Sequence, residues 1–146
     1  MASIEEYHEM WGKDALIDQT RLSLEAANIP FLHHKYYVKY SQEDLKLKKY
    51  YADYERLKRD KDLYYRGILD PEELKALGWK PNAKSYRPGE IAKAVETDED
   101  IINMSLKIGY QATIKEMLAD VLKMINGRSY QIKNIIDILK FENGGY

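Results

Sequence analysis

No cysteine occurs among the 146 residues, which excludes disulfide frameworks, thiolate metal sites and cysteine nucleophiles. Phenylalanine is scarce, two against thirteen tyrosines, so most aromatic surface carries a hydroxyl and suits interfaces and stacking contacts. No apolar stretch approaches the roughly 20 residues of a membrane span. The opening MASIEEYHEMWGKD is acidic and lacks the basic start and apolar run of a secretion signal. A protein without membrane contact, remaining where it is made, is expected. Net charge is only −1 although 32% of residues are charged, which rules out a uniformly basic DNA-packaging protein and leaves the distribution of charge to decide. The length suits one core domain, alone or with an arm.

Catalytic signatures are missing as well. His33 and His34 are adjacent, so a helix would turn them about 100° apart, and neither has a His, Asp or Glu four residues away. Gly67, Gly78, Gly89, Gly109 and Gly127 are isolated and form no phosphate-cradling loop. The carboxylates fall at helix starts or on polar faces, where capping and solubility account for them. The sequence therefore predicts no catalytic residue, no metal and no cofactor, and a binding or structural protein rather than an enzyme.

What is present is helical patterning, and the fold class expected is all-α. From Asp14 to Tyr40 apolar residues recur near helical spacing, with Pro30 either kinking one helix, the favoured expectation, or dividing two. Ser41 with Asp44 three positions on resembles a capping box, which predicts a second helix from about Gln42 to Arg66, closed by Gly67. Along it Leu47, Tyr50, Tyr54, Leu57, Lys61 and Tyr64 form a 3-4 seam; Lys61 is its exception, leaving the core or snorkelling to solvent. Asp70-Pro71-Glu72-Glu73 starts a short helix that Gly78 ends, and residues 78–89 read as a mobile linker. Thr97 and the acids behind it open a helix to Asn126-Gly127 whose apolar positions, Ile108 and Leu122 among them, exceed one face and predict a central core element. Ser129 is expected to cap a last helix in which Ile132, Ile135, Ile136, Leu139 and Phe141 make an apolar face broader than internal docking needs. That face predicts oligomerisation.

Charge is unevenly placed. Residues 1–34, 35–66, 67–100 and 101–146 carry local sums of −4, +4, −3 and +2, and tyrosine clusters in the basic stretch. At its end, Lys58, Lys61 and Tyr65 share one helical face while Arg59, Asp62 and Arg66 share the next. Cations neutralise phosphates and aromatic rings stack on unpaired bases, the combination used by sequence-tolerant single-strand binders. A mixed-charge helix of this kind is more often a solvated face.

Three groups of residues shift that balance. Ile17-Asp18-Gln19-Thr20-Arg21-Leu22 with Glu25-Ala26-Ala27-Asn28, then Tyr64-Tyr65-Arg66-Gly67, then Ile132-Lys133-Asn134-Ile135-Ile136-Asp137 with Phe141-Glu142-Asn143-Gly144 together resemble the UvsY recombination mediator family of tailed phages. The resemblance implies a helical protein that forms a ring of six or seven copies in the cytoplasm of the infected bacterial host. It further implies binding to single-stranded DNA and to two partners, a RecA-like recombinase of the UvsX type and the phage single-strand-binding protein. By position before the paired tyrosines, it makes Arg59 and Lys61 the DNA contacts, with Lys58 and Arg66 as neighbours; from their places at the end of the basic stretch and in the seam, Tyr65 is the better stacking candidate and Tyr64 is divided between packing and base contact.

The expected organisation is a flexible extension over 1–13 and a hairpin-like helical DNA-binding region over 14–67. A short helix and linker over 68–96 follow, then a C-terminal helical core and oligomerisation region over 97–146. The competing expectation is a helical oligomer or adaptor in phage assembly that uses the same apolar faces without DNA.

Overall fold

Ser3 opens the first helix, α1 (Ile4–Asp14), with a reciprocal capping box: its hydroxyl accepts from the Glu6 amide while the Glu6 carboxylate accepts from the Ser3 amide, both at 3.2 Å. Residues 4–13, part of the stretch expected to be a flexible extension, are thus helical. The Ser-x-x-Glu signal lies in plain sight at 3–6, and burial of Tyr7 anchors the helix. The structure is a computed structural model that describes residues 2–82 and 84–144. It continues with α2 (Leu22–Ala27), α3 (Ile29–Arg66), α4 (Pro71–Leu77), α5 (Pro88–Glu96), α6 (Glu99–Asn126) and α7 (Arg128–Glu142). The described residues contain no strand, and the fold is all-α as expected.

Pro30 does not kink one helix but stands beside the division of two, α2 ending at Ala27 and α3 starting at Ile29; it lies in the first turn of α3, where a missing amide N–H leaves no hydrogen bond unmade. Ser41 does not start one either. Tyr36, Tyr40, Glu43 and Leu47 continue the inward-facing seam straight through it, so packing overrides the local capping signal, and Asp44 pairs with Lys115 at 2.8 Å instead. The 38-residue α3 ends where expected, at Gly67 with a positive φ of 73°.

The chain divides into two compact units, Met1–Asp44 with Thr113–Tyr146, and Leu45–Ala112. In the first, Tyr7, Leu32, Tyr36, Ile114, Leu118, Val121 and Ile125 form the core. Burial is accompanied by hydrogen bonding of the phenols: Tyr7 donates to Glu43 at 2.9 Å and Tyr36 to Asp14 at 2.8 Å. α7 packs on α2 in this unit. Arg128, at the start of α7, donates to the carbonyls of Ala15 and Leu16 and to the Glu25 carboxylate, and so fixes the turn between α1 and α2. Gly127, rather than Ser129, occupies the cap position of α7.

In the second unit Leu47, Ile91, Ile101 and Gln111 are buried. The helix expected over Asp70–Gly78 is α4, with the Asp70 carboxylate accepting from the Glu73 amide at 2.8 Å and Gly78 left-handed at φ 74°. Residues expected as linker include α5, where Pro88 stands at the first turn and Ile91 turns inward. Thr97 closes α5, and the cap of α6 is Asp98, whose Oδ1 accepts from the amides of Asp100 and Ile101. The core positions of α6 are Ile101, Ile114, Leu118, Val121 and Ile125, whereas Ile108 and Leu122 are only half-buried.

Candidate nucleic-acid interface

The last turns of α3 sort the six expected DNA contacts into two sets. Lys58, Arg59 and Arg66 face solvent, each beside an acid of its own helix: Lys58 with Glu55 at 3.2 Å, Arg59 with Asp60 at 3.5 Å and Arg66 with Asp62 at 2.7 Å. Arg59 is the most open, with 70% of its side chain exposed. The Lys58 ammonium also lies 4.9 Å from the Tyr54 ring centre. Exposed ion pairs of this kind are worth at most about 1 kcal/mol, so a phosphate exchanges for the acid at little cost.

Lys61, Tyr64 and Tyr65 turn inward. The seam that passes through Lys61 neither leaves the core nor lets the side chain snorkel, contrary to both sequence expectations. Its ammonium lies 3.2 Å from Asp98 and 2.8 Å from Asp100, and 4.1 Å from the centre of the Trp79 ring. Only 6% of the Lys61 side chain is exposed. A phosphate reaching Lys61 must displace two carboxylates and an indole, so in this arrangement Lys61 is no surface contact.

The paired tyrosines secure the loop between α4 and α5. Tyr64 donates its hydroxyl to the Lys80 carbonyl at 2.7 Å and meets Trp79 edge-to-face at 5.4 Å. Tyr65 donates to Asp98 at 2.6 Å and meets Tyr86 edge-to-face at 5.3 Å. Burial, followed by the Asp98 hydrogen bond and charge, pushes the Tyr65 phenol far above its ordinary value, so it stays a donor. Burial alone would raise Asp98, but hydrogen bonds from Tyr65, Lys61 and the Ile101 amide, together with the lysine's charge, hold its carboxyl below the usual range. Asp98 thereby caps α6 and receives both Lys61 and Tyr65.

Sequence reasoning missed Trp79, Tyr86, Asp98 and Asp100 as parts of this cluster. The available signal was Lys61 itself, since a cation at a seam position demands an anionic partner, and Asp98 and Asp100 are nearest the start of the facing helix. The five residues expected to oligomerise also separate. Ile132 is buried and Ile135 and Leu139 are half-buried within the unit, while Ile136 and Phe141 are exposed, joined by Ile138 and Tyr130. Among the described residues no three His, Asp or Glu side chains converge as a metal site, and no helix is long and apolar enough to cross a membrane.

Residues 10–145 match the model of the UvsY family, described as recombination, repair and ssDNA binding protein UvsY. Recombination protein uvsY of Enterobacteria phage T4 is 26% identical over 141 residues, which span 97% of this chain and 98% of that protein. A crystal structure of the bacteriophage T4 recombination mediator protein UvsY, in lattice type II, superposes with a TM-score of 0.81 at 25% identity over 98% of this chain and 99% of that one. Lattice type I of the same T4 protein gives 0.78 at 26% identity over 92% and 97%.

Proposed function

This chain belongs to the UvsY family, and from that premise we propose that it is a phage recombination mediator that binds single-stranded DNA without carrying out a reaction of its own. It promotes loading of a RecA-like, UvsX-type recombinase onto DNA coated by the phage single-strand-binding protein, in the cytoplasm of the infected bacterial host. It serves homologous recombination, recombination-dependent replication and repair.

The observation that carries the reading is the solvent-facing rank of Lys58, Arg59 and Arg66, cations held only by weak exposed pairs at the end of the most basic stretch of the chain. Lys61 and the two tyrosines act beneath that rank: they fix the last turns of α3 against Asp98 and the loop at Trp79, so the surface cations keep their spacing. A single rank binds weakly. Repetition around a homo-oligomer of six or seven copies raises effective concentration and hence avidity. The exposed part of α7, Ile136 and Phe141 with Ile138, supplies the contact between copies, while Ile132, Ile135 and Leu139 support it from within.

One observation favours the reading without DNA, a structural helical oligomer: each of the three surface cations already has an acidic neighbour. Titrating a labelled single-stranded oligonucleotide at several salt concentrations separates the two. The logarithm of the wild-type binding constant should fall linearly with log salt, and Lys58→Ala with Arg59→Ala should flatten the slope by about 0.7 per lost contact. Unchanged affinity and slope in a variant of full assembled size would place the DNA elsewhere, and a wild-type chain that binds no DNA leaves the structural oligomer.

A further inference from the structure

The second unit contains a cavity of about 440 Å³ at the α5 side of Tyr65, with Tyr86, Lys84, Lys93, Gly89 and Glu90 among its lining residues. None of these except Tyr65 belongs to the basic stretch of α3. We propose that this cavity is a nucleotide subsite in which one unpaired DNA base stacks on the Tyr86 ring while Lys84 and Lys93 hold the phosphates on either side. The inference rests on the single-strand reading above and extends it from phosphate contact to base contact.

Three features support the assignment. The wall is pre-set: the Tyr65 hydroxyl is bonded to Asp98 at 2.6 Å, and Tyr86 meets Tyr65 at 88° and 5.3 Å between ring centres. Edge-to-face pairing leaves ring faces unstacked, and a base that lands on a fixed ring loses less conformational freedom than one that must order it. The charge suits a phosphodiester as well. Two lysines stand against one acid among the described lining residues, and the Glu90 carboxylate is approached by Arg87 at 3.8 Å. Finally, Gly89 is one of the lining residues, and a Cβ there would meet nothing outside its own helix within 4 Å. A planar base with flanking anions fits an aromatic wall between ammonium groups, whereas a duplex keeps its bases stacked and out of reach.

Two cavity variants and two probes test the proposal. Tyr86→Leu keeps bulk but removes the π-face, and Gly89→Leu adds bulk at a lining, helical position with no close neighbour, where leucine also favours the helix over glycine. The probes are oligothymidylate and an abasic oligonucleotide of the same length, which has the phosphates but no bases. Both variants should weaken oligothymidylate binding by roughly 5- to 100-fold and leave abasic binding at the wild-type level, with helix content unchanged by circular dichroism. Independently, an oligonucleotide carrying 5-iodouracil should photocrosslink the unmodified chain at the segment that holds Tyr86. Wild-type oligothymidylate affinity in both variants, or crosslinks confined to α3 residues other than Tyr65, would overturn the subsite while leaving the α3 surface intact. A wild-type chain that binds neither probe would remove the DNA reading and the subsite together.

Discussion

Lys61 and Asp98 form a buried ion pair, 3.2 Å apart with 6% and 8% of their side chains exposed, that joins the last turns of α3 to the cap of α6 within one compact unit. Taking both charges out of water is costly, and the arrangement holds because every partner is itself satisfied. Asp98 accepts from Tyr65 and from two amides, and Lys61 has a second carboxylate, Asp100, at 2.8 Å.

Removing one member strands the other. Lys61→Met should lower the stability of the chain by about 3–5 kcal/mol in urea unfolding, the usual consequence of an uncompensated buried charge. Lys61→Met combined with Asp98→Asn should recover part of the loss. Under conditions where the single variant stays folded, its DNA binding should keep the wild-type salt slope, since Lys61 is not a surface cation. A stable variant with a flattened slope would instead make Lys61 a phosphate contact.

Two carboxylates tie stability to acid. Asp98 lies below its ordinary pKa for the reasons given, and Asp14 does so because bonds from Lys35 and Tyr36 and the charges of Lys35 and Arg128 outweigh its burial. For groups depressed on folding, the stabilisation is fully present above the unfolded value near 3.9 and is lost as pH falls through the lower folded value. Their contribution should therefore be flat from neutrality to about pH 5 and then disappear on further acidification. In a denaturant series against pH, Asp98→Asn should reduce the acid-side slope; an unaltered slope would show that Asp98 titrates normally.

The two faces of α7 should respond differently to charge. Phe141→Asp with Ile138→Asp, at positions 72% and 55% exposed, should lower the assembled mass in light scattering without loss of helix. Ile132→Asp should unfold the first unit instead, because that side chain is buried within the unit. Full assembled mass in the α7 surface pair would move the contact between copies to another face.

Elements whose signals are local were legible in the residues. Asp70 and Gly78 bound α4, Gly67 ends α3, and the acids at 98–100 start α6, because caps and left-handed glycines act within one turn. The continuity of α3 was hidden by Ser41, whose capping signal is weaker than the burial of Tyr36, Glu43 and Leu47 on either side. α5 was hidden by its own glycine and proline, although proline at the first helical position is a start signal rather than a break. The candidate site was half visible. Arg59 and Arg66 stand on the face their spacing assigns, whereas Lys58 parts from Lys61 and Tyr65, which turn inward to Asp98, a partner signalled only by the misplaced charge of Lys61 in the seam.

Arg128 bears on how the chain is made. It donates to the Ala15 carbonyl 113 positions earlier, and the unit it completes is assembled from the two ends of the sequence, while the other unit is the continuous stretch Leu45–Ala112. A ribosome releases the chain from the N-terminus at roughly 5–20 residues per second. The middle unit therefore has all its residues in hand while the turn between α1 and α2 still waits for its guanidinium. Translation order therefore completes the inner segment before the outer one, which cannot close until Arg128 and the rest of α7 have emerged.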